Sequence, residues 1–204
     1  RAGCSLHPRL RGVVVRADIF RPIDDGRYPV ILTYGPYGKG LDFKEGYTTA
    51  YEILERDYPD SLQNTTGKYM NWEVVDPEKW VPDGYVCIRI DSRGAGRSEG
   101  FMEVQGPRET RDIYTCIEWA GVQPWSNGKV GMNGISYYAS NQWRVAELQP
   151  PHLAAMCVWE GYADYYRDKP SSESTRLILK DEMRSSLPCP LIAMEKPEGF
   201  LCFS

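Results

Sequence analysis

Apolar positions along the chain gather into short compact runs separated by glycine- and proline-rich breaks. Residues 12–20 (Gly-Val-Val-Val-Arg-Ala-Asp-Ile-Phe) are rich in β-branched side chains and partly alternate, which predicts a strand that stops at Arg21-Pro22 and an Asp24-Asp25-Gly26 turn. Residues 28–34 (Tyr-Pro-Val-Ile-Leu-Thr-Tyr) are almost continuously apolar, the mark of a strand buried on both faces of a parallel or mixed sheet. That run ends in Gly35-Pro36-Tyr37-Gly38-Lys39-Gly40, a loop at the end of a sheet strand, where open α/β proteins place their sites. Residues 41–82 lose the pattern apart from a helical possibility over 48–56. Irregular connections of this length are uncommon in compact domains and often belong to binding surfaces. Trp72 and Trp80 are expected to pin this excursion to the body.

Order returns at residues 85–91 (Tyr-Val-Cys-Ile-Arg-Ile-Asp), a further strand, followed by Ser92-Arg93-Gly94-Ala95-Gly96-Arg97-Ser98-Glu99-Gly100. A dinucleotide fingerprint needs glycine where Glu99 stands and a helix directly after the turn, so this stretch reads instead as a structural loop crossing behind the sheet. Pro107 opens a helix whose Ile113, Cys116, Ile117 and Ala120 share one face, and Gly121 stops it. Asn127-Gly128 signals a turn, residues 130–133 a short strand, 137–148 a helix closed by Gln149-Pro150-Pro151, and 152–160 one more strand. The succession predicts an α/β fold, a mostly parallel sheet with flanking helices. Residues 1–168 form its domain with an irregular insertion at 41–82. Residues 169–204, rich in Ser, Pro, Lys and Glu with a helical stretch near 175–184, read as a divergent tail.

With 42% hydrophobic and 12% aromatic residues in 204, there is enough apolar material for a core. A net charge of -4, without long like-charge runs, argues against a nucleic-acid surface and for a small-molecule or peptide partner. No stretch approaches the roughly 20 apolar residues that span a bilayer. Cys4, Cys87, Cys116, Cys157, Cys189 and Cys202 form no C-x-x-C pair, and His7 and His152 are the only imidazoles, so neither a metal nor a cofactor is expected. Cys87, Cys116 and Cys157 fit small buried hydrophobes, which leans towards a cytoplasmic protein.

Ser136 is the residue on which chemistry turns. It follows the 130–133 run in Gly134-Ile135-Ser136-Tyr137-Tyr138. The pattern G-x-S-x-G places a serine on a sharp strand-to-helix turn, but here Tyr138 replaces the second glycine and is expected to crowd the turn. Taken alone, Gly-x-Ser fits an ordinary strand-to-helix turn better than a nucleophile.

Four blocks together give the chain a likeness. Ala17-Asp18-Ile19-Phe20-Arg21-Pro22, residues 29–37, residues 91–100 and Gly134-Ile135-Ser136-Tyr137 occur in the order and spacing of the cocaine-esterase and X-prolyl-dipeptidyl-peptidase family of α/β-hydrolases, which residues 12–168 resemble. Asp164-Tyr165-Tyr166-Arg167-Asp168 matches as well. The resemblance implies an α/β-hydrolase fold, incomplete at its C-terminal side, with Ser136 as nucleophile of an acyl-enzyme. It also implies an oxyanion hole from the Tyr37 phenol and the Tyr137 backbone N–H. Ester hydrolysis, amide hydrolysis and acyl transfer in a biosynthetic relative share that first half-reaction.

The departures weigh against activity. The family's acid and base follow the nucleophile in the chain, yet His152 is the only later histidine and stands where structural residues are expected. Asp164, Asp168 and Asp181 fit surface or loop carboxylates better than a triad acid, so neither acid nor base is identified. The resemblance stops after Asp168, which suggests a truncated, isoform or mis-framed tail and leaves a non-catalytic remnant or binding protein as the alternative. A half sheet would also expose an edge and favour self-association.

Overall fold

The computed structural model describes residues 9–10 and 12–168. A small hairpin of β1 (Arg9–Leu10) and β2 (Val13–Val14) precedes a five-stranded sheet. The sheet contains β3 (Ala17–Phe20), β4 (Tyr28–Gly35), β5 (Val86–Asp91), β6 (Ser126–Ile135) and β7 (Leu153–Trp159). Their order is β3-β5-β4-β6-β7, and β3 alone runs antiparallel to its neighbour. The stretch expected as one strand over 12–20 is thus divided. Val13 and Val14 pair with β1, and from Ala17 the chain pairs with β5. Apolar residues lie on both sides of the division, so the run's composition does not reveal the change of partner.

From β4 the chain passes to β5 on one side and then crosses back to β6 on the other. Such a switch of direction opens a crevice at the C-terminal ends of the strands. The crossover helices are α4 (Pro107–Gly121) and α5 (Tyr137–Glu147). Ile113, Cys116, Ile117 and Ala120 of α4 are buried as the 3.6-residue period predicts. With Val145 of α5 they share one core with Val30, Leu32, Tyr34, Ile88, Ile90, Val130 and Met132. The alternate positions Ile31, Thr33, Cys87 and Arg89 are buried too, so the central strands are covered on both faces.

The second face owes its cover to the 41–82 excursion. That segment is built of short helices: α1 (Phe43–Gly46), α2 (Thr48–Asp57), a 3₁₀ turn (Pro59–Leu62) and α3 (Pro77–Trp80). The Arg89 guanidinium reaches from β5 to the Val75 carbonyl at 2.7 Å and lies 5.4 Å from the Phe20 ring. Trp80 meets Tyr85 edge-on at 5.3 Å and so ties the excursion to the sheet. Trp72 acts differently from expectation: it stacks on Tyr47 at 4.2 Å and touches Phe43, forming an aromatic cluster inside the excursion.

Two further differences are instructive. Asn127-Gly128 lies within β6 and does not reverse the chain. The register passes from Tyr28 opposite Ser126 to Val30 opposite Val130, so the pair is a bulge, with Gly128 supplying φ 84°. The 92–100 loop does not cross behind the sheet. It folds over the C-terminal end of β5, where Ser92 N donates to Gly35 O at 2.9 Å and Glu99 N to Val14 O at 3.1 Å. Arg93 fastens it to α4 through a bidentate pair with Asp112, at 2.7 and 2.9 Å. Cys87 and Cys116 are buried, free thiols, and burial pushes the former up to about 12; Cys157 is only half-buried. The α6 turn (Tyr165–Asp168) closes the described residues, so Asp181 and the 175–184 helix lie outside them.

Candidate active site

Ser136 sits between β6 and α5 with φ 56° and ψ −110°, a conformation non-glycine residues rarely adopt. Holding a residue there costs about 1–3 kcal/mol, and the surroundings over-determine the turn. Ser136 N donates to Trp159 O at 3.0 Å, Ile135 N to Glu73 O at 3.2 Å, and Ala139 N and Ser140 N both return to Ser136 O. The hydroxyl of Ser140 also donates to Ser136 O, at 3.0 Å, and accepts from Tyr162 N. Neighbouring strand, excursion and helix all grip the turn.

The same geometry answers the question raised by Tyr138. Its ring lies over Gly35, where an added Cβ would stand 2.2 Å from Tyr138 Cε1. An added Cβ at Gly134 would stand 2.2 Å from Tyr138 Cβ. The turn admits tyrosine because two other positions, one on β4 and one on β6, have no side chain. The carbonyl of Tyr34, one residue before Gly35, accepts from Asn141 Nδ2 of α5 at 3.0 Å, which closes the contact between β4 and the helix.

Tyr37 and Tyr137 come together at this turn. The Tyr37 ring is edge-on to Tyr137 at 6.1 Å and to Tyr138 at 5.5 Å, and it is 38% exposed, so its phenol can be approached from solvent. Burial, followed by the nearby Glu73 carboxylate, raises its pKa above that of a free tyrosine. It therefore keeps its proton at neutral pH and can donate. The Tyr137 N–H, at the first helical position, has no acceptor within its own helix. A phenol and a helix-terminal N–H beside a strained serine make a place where negative oxygen can be stabilised.

Two carboxylates that sequence reasoning did not single out face the same region. Glu73 has φ 60°, and its Oε2 is buried without a hydrogen-bond partner. Burial and then the charge of Glu160 raise its pKa, offset in part by the Trp72 side chain. Glu109, 4% exposed in the first turn of α4, accepts from Tyr137 Oη at 2.7 Å. No local pattern marks either residue, since each becomes informative only through a partner far along the chain.

The remaining candidates lie elsewhere. His152 stands at the start of β7, its Nδ1 2.8 Å from Glu118 Oε2 and its N–H on Glu118 Oε1. The seven residues of β7 at about 3.3 Å each put it roughly 20 Å from the end of the sheet that holds Ser136. Asp168 accepts from Ala163 N and Asp164 N, and Asp164 accepts from Arg167 N, so both carboxylates cap the α6 turn.

Comparison with known proteins joins this geometry to a family. The profile of the X-Pro dipeptidyl-peptidase (S15 family) matches residues 11–188. The cocaine esterase of Rhodococcus sp. (strain MB1 Bresler) is 31% identical over 160 residues, which is 78% of this chain and 23% of that protein. A putative Xaa-Pro dipeptidyl-peptidase of Bacillus anthracis is 28% identical over 174 residues, 75% of this chain and 28% of its own length. Among solved structures, a CocE/NonD family hydrolase from Staphylococcus aureus superposes with a TM-score of 0.68 at 39% identity, covering 80% of this chain and 28% of that one. The chain thus spans between 23% and 28% of the length of these relatives.

Proposed function

The chain belongs to the X-Pro dipeptidyl-peptidase (S15) family and carries the α/β-hydrolase fold, and from that premise we propose that it forms the nucleophile side of a serine acyl-transfer site. Ser136 Oγ attacks the carbonyl carbon of an ester or amide. The oxygen of that carbonyl becomes negative and is met by the Tyr37 phenol and the Tyr137 N–H. Collapse breaks the bond to the leaving alcohol or amine, which departs with the proton that the serine gave up. Water, or a second alcohol in a transferase, then takes the acyl group from Ser136. Ester and amide cleavage would both begin this way, and nothing in the turn separates them.

The observation that carries this reading is the strained Ser136 with Tyr37 and Tyr137 gathered round it. A second reading, a binding protein that keeps the elbow without turnover, draws on one other fact. No described residue is a histidine near Ser136, because His152 is held by Glu118 at the far end of β7. A serine without a base is a poor nucleophile at neutral pH.

A fluorophosphonate probe separates the two. We expect the folded chain to label at Ser136, Ser136→Ala to abolish labelling, and Tyr37→Phe to slow it by about a hundredfold, as loss of one oxyanion donor does. A folded chain that stays unlabelled over hours overturns the hydrolase reading and leaves the binding protein.

A further inference from the structure

The buried network behind the elbow has no role in the chemistry just described. Glu109 lies at the third position of α4, in a first turn that favours an anion. Its carboxylate takes three donors: Tyr137 Oη at 2.7 Å and Gln105 N at 2.7 Å on Oε2, and Ser92 Oγ at 3.3 Å on Oε1. Gln105, held at φ 53°, donates its side-chain amide to Tyr162 Oη and offers its carbonyl to Arg144 of α5. The carboxylate thus joins α4, the 92–100 loop, the 101–106 connection and the first residue of α5.

We infer that Glu109 is a positioning residue for the acyl-transfer site, fixing the Tyr137 main chain so that its N–H points at the developing oxyanion. This rests on the reading of Ser136 as nucleophile. The physical link is short. Tyrosine has two side-chain torsions, so anchoring its phenol fixes where its own Cα and N can lie. The phenol of Tyr137 is anchored at its far end by the 2.7 Å bond to Glu109, and Gln105 N approaches the same oxygen at 3.3 Å. Misplacing a donor by about 1 Å can cost a hundredfold in rate, whereas ground-state binding of the substrate feels little of it. A group kept only to stabilise α4 would show no such division.

The test uses the 204-residue chain with Glu109→Gln, Tyr137→Phe and the double variant. The glutamine keeps the shape of the buried group, and thermal melts check that each variant folds. We expect both single variants to slow fluorophosphonate acylation, and kcat on a simple aryl ester, by about tenfold or more. KM should stay within about twofold, and the double variant should be no slower than either single, as expected for two residues acting through one contact. Full additivity, or unchanged acylation in a folded Glu109→Gln protein, overturns the inference. A second readout needs no turnover: the backbone ¹⁵N order parameter of Tyr137 should drop from the rigid value of about 0.85 towards 0.6 in both single variants, with Val145 unchanged. If the parent chain does not label, the hydrolase reading fails. The positioning inference falls with it, whereas a parent chain that labels but shows no drop at Tyr137 in either single variant refutes the positioning inference alone.

Discussion

Glu73 shows how a single residue can work against the fold that holds it. Its backbone supports the elbow by accepting from Ile135 N, while its side chain presents a buried, unpartnered Oε2 beside Tyr37. The folded protein raises its pKa above 4.5, so the native state holds this proton more tightly than the unfolded chain does. The stability tied to the neutral carboxyl is complete below the unfolded pKa and is lost as pH rises through the raised one. Glu73→Gln cannot ionise, so its urea midpoint should exceed the parent's at pH 7 and match it near pH 4. Solvent screening at a partly exposed carboxylate keeps the gain to about 1 kcal/mol or less. An equal gain at both pH values would show that charge is not its cause. Neither this residue nor Glu109 could be read from the sequence. Ser136 stood out because its neighbours along the chain carry the signal, and Tyr37 and Tyr137 entered through resemblance. Glu73 and Glu109 act through Ile135 and Tyr137, and the chain gives no local sign of those contacts.

Among elements, what was legible followed periodicity. The apolar face of α4 and the continuous run of β4 announced themselves because one repeat decides what is buried. Legibility failed where a partner decides: the extended run before β3 changes neighbour without changing composition, and Asn127-Gly128 makes a bulge because β4 passes beside it. The contact between β4 and α5 was hidden for the same reason. Gly35 reads in the sequence as the start of a loop, yet it is the buried last residue of β4 and gives the Tyr138 ring its room. Gly35→Ala would place a methyl 2.2 Å from Tyr138 Cε1, and the ring, 7% exposed, has no free space to turn into. Such overpacking costs about 1–3 kcal/mol. In a Tyr138→Ala background the same substitution should cost less by about 1 kcal/mol or more, because the obstructing ring is gone. Urea denaturation of the four proteins checks it, and additivity would mean that the strain lies elsewhere.

For the whole molecule, the sheet's last described strand raises the question of what meets it. Among the described residues β7 pairs with β6 alone. Its sequence, Leu-Ala-Ala-Met-Cys-Val-Trp, contains neither charge nor proline, the devices that ordinarily keep an edge from recruiting another strand. Ala155 is exposed along it and Trp159 is 48% exposed at its end. Among the described residues this uncharged strand has a neighbouring strand on one side only, the arrangement that can template a second chain. We therefore expect the purified 204-residue protein to sediment as a dimer or larger species at micromolar concentration, with the fraction rising as concentration rises. Ala155→Lys adds a charge at an exposed position of the strand and should shift the protein towards monomer, while changing its stability by no more than about 0.5 kcal/mol. A parent chain that sediments as a monomer across that range would mean that this edge is covered within the chain itself, and the lysine should then leave sedimentation unchanged.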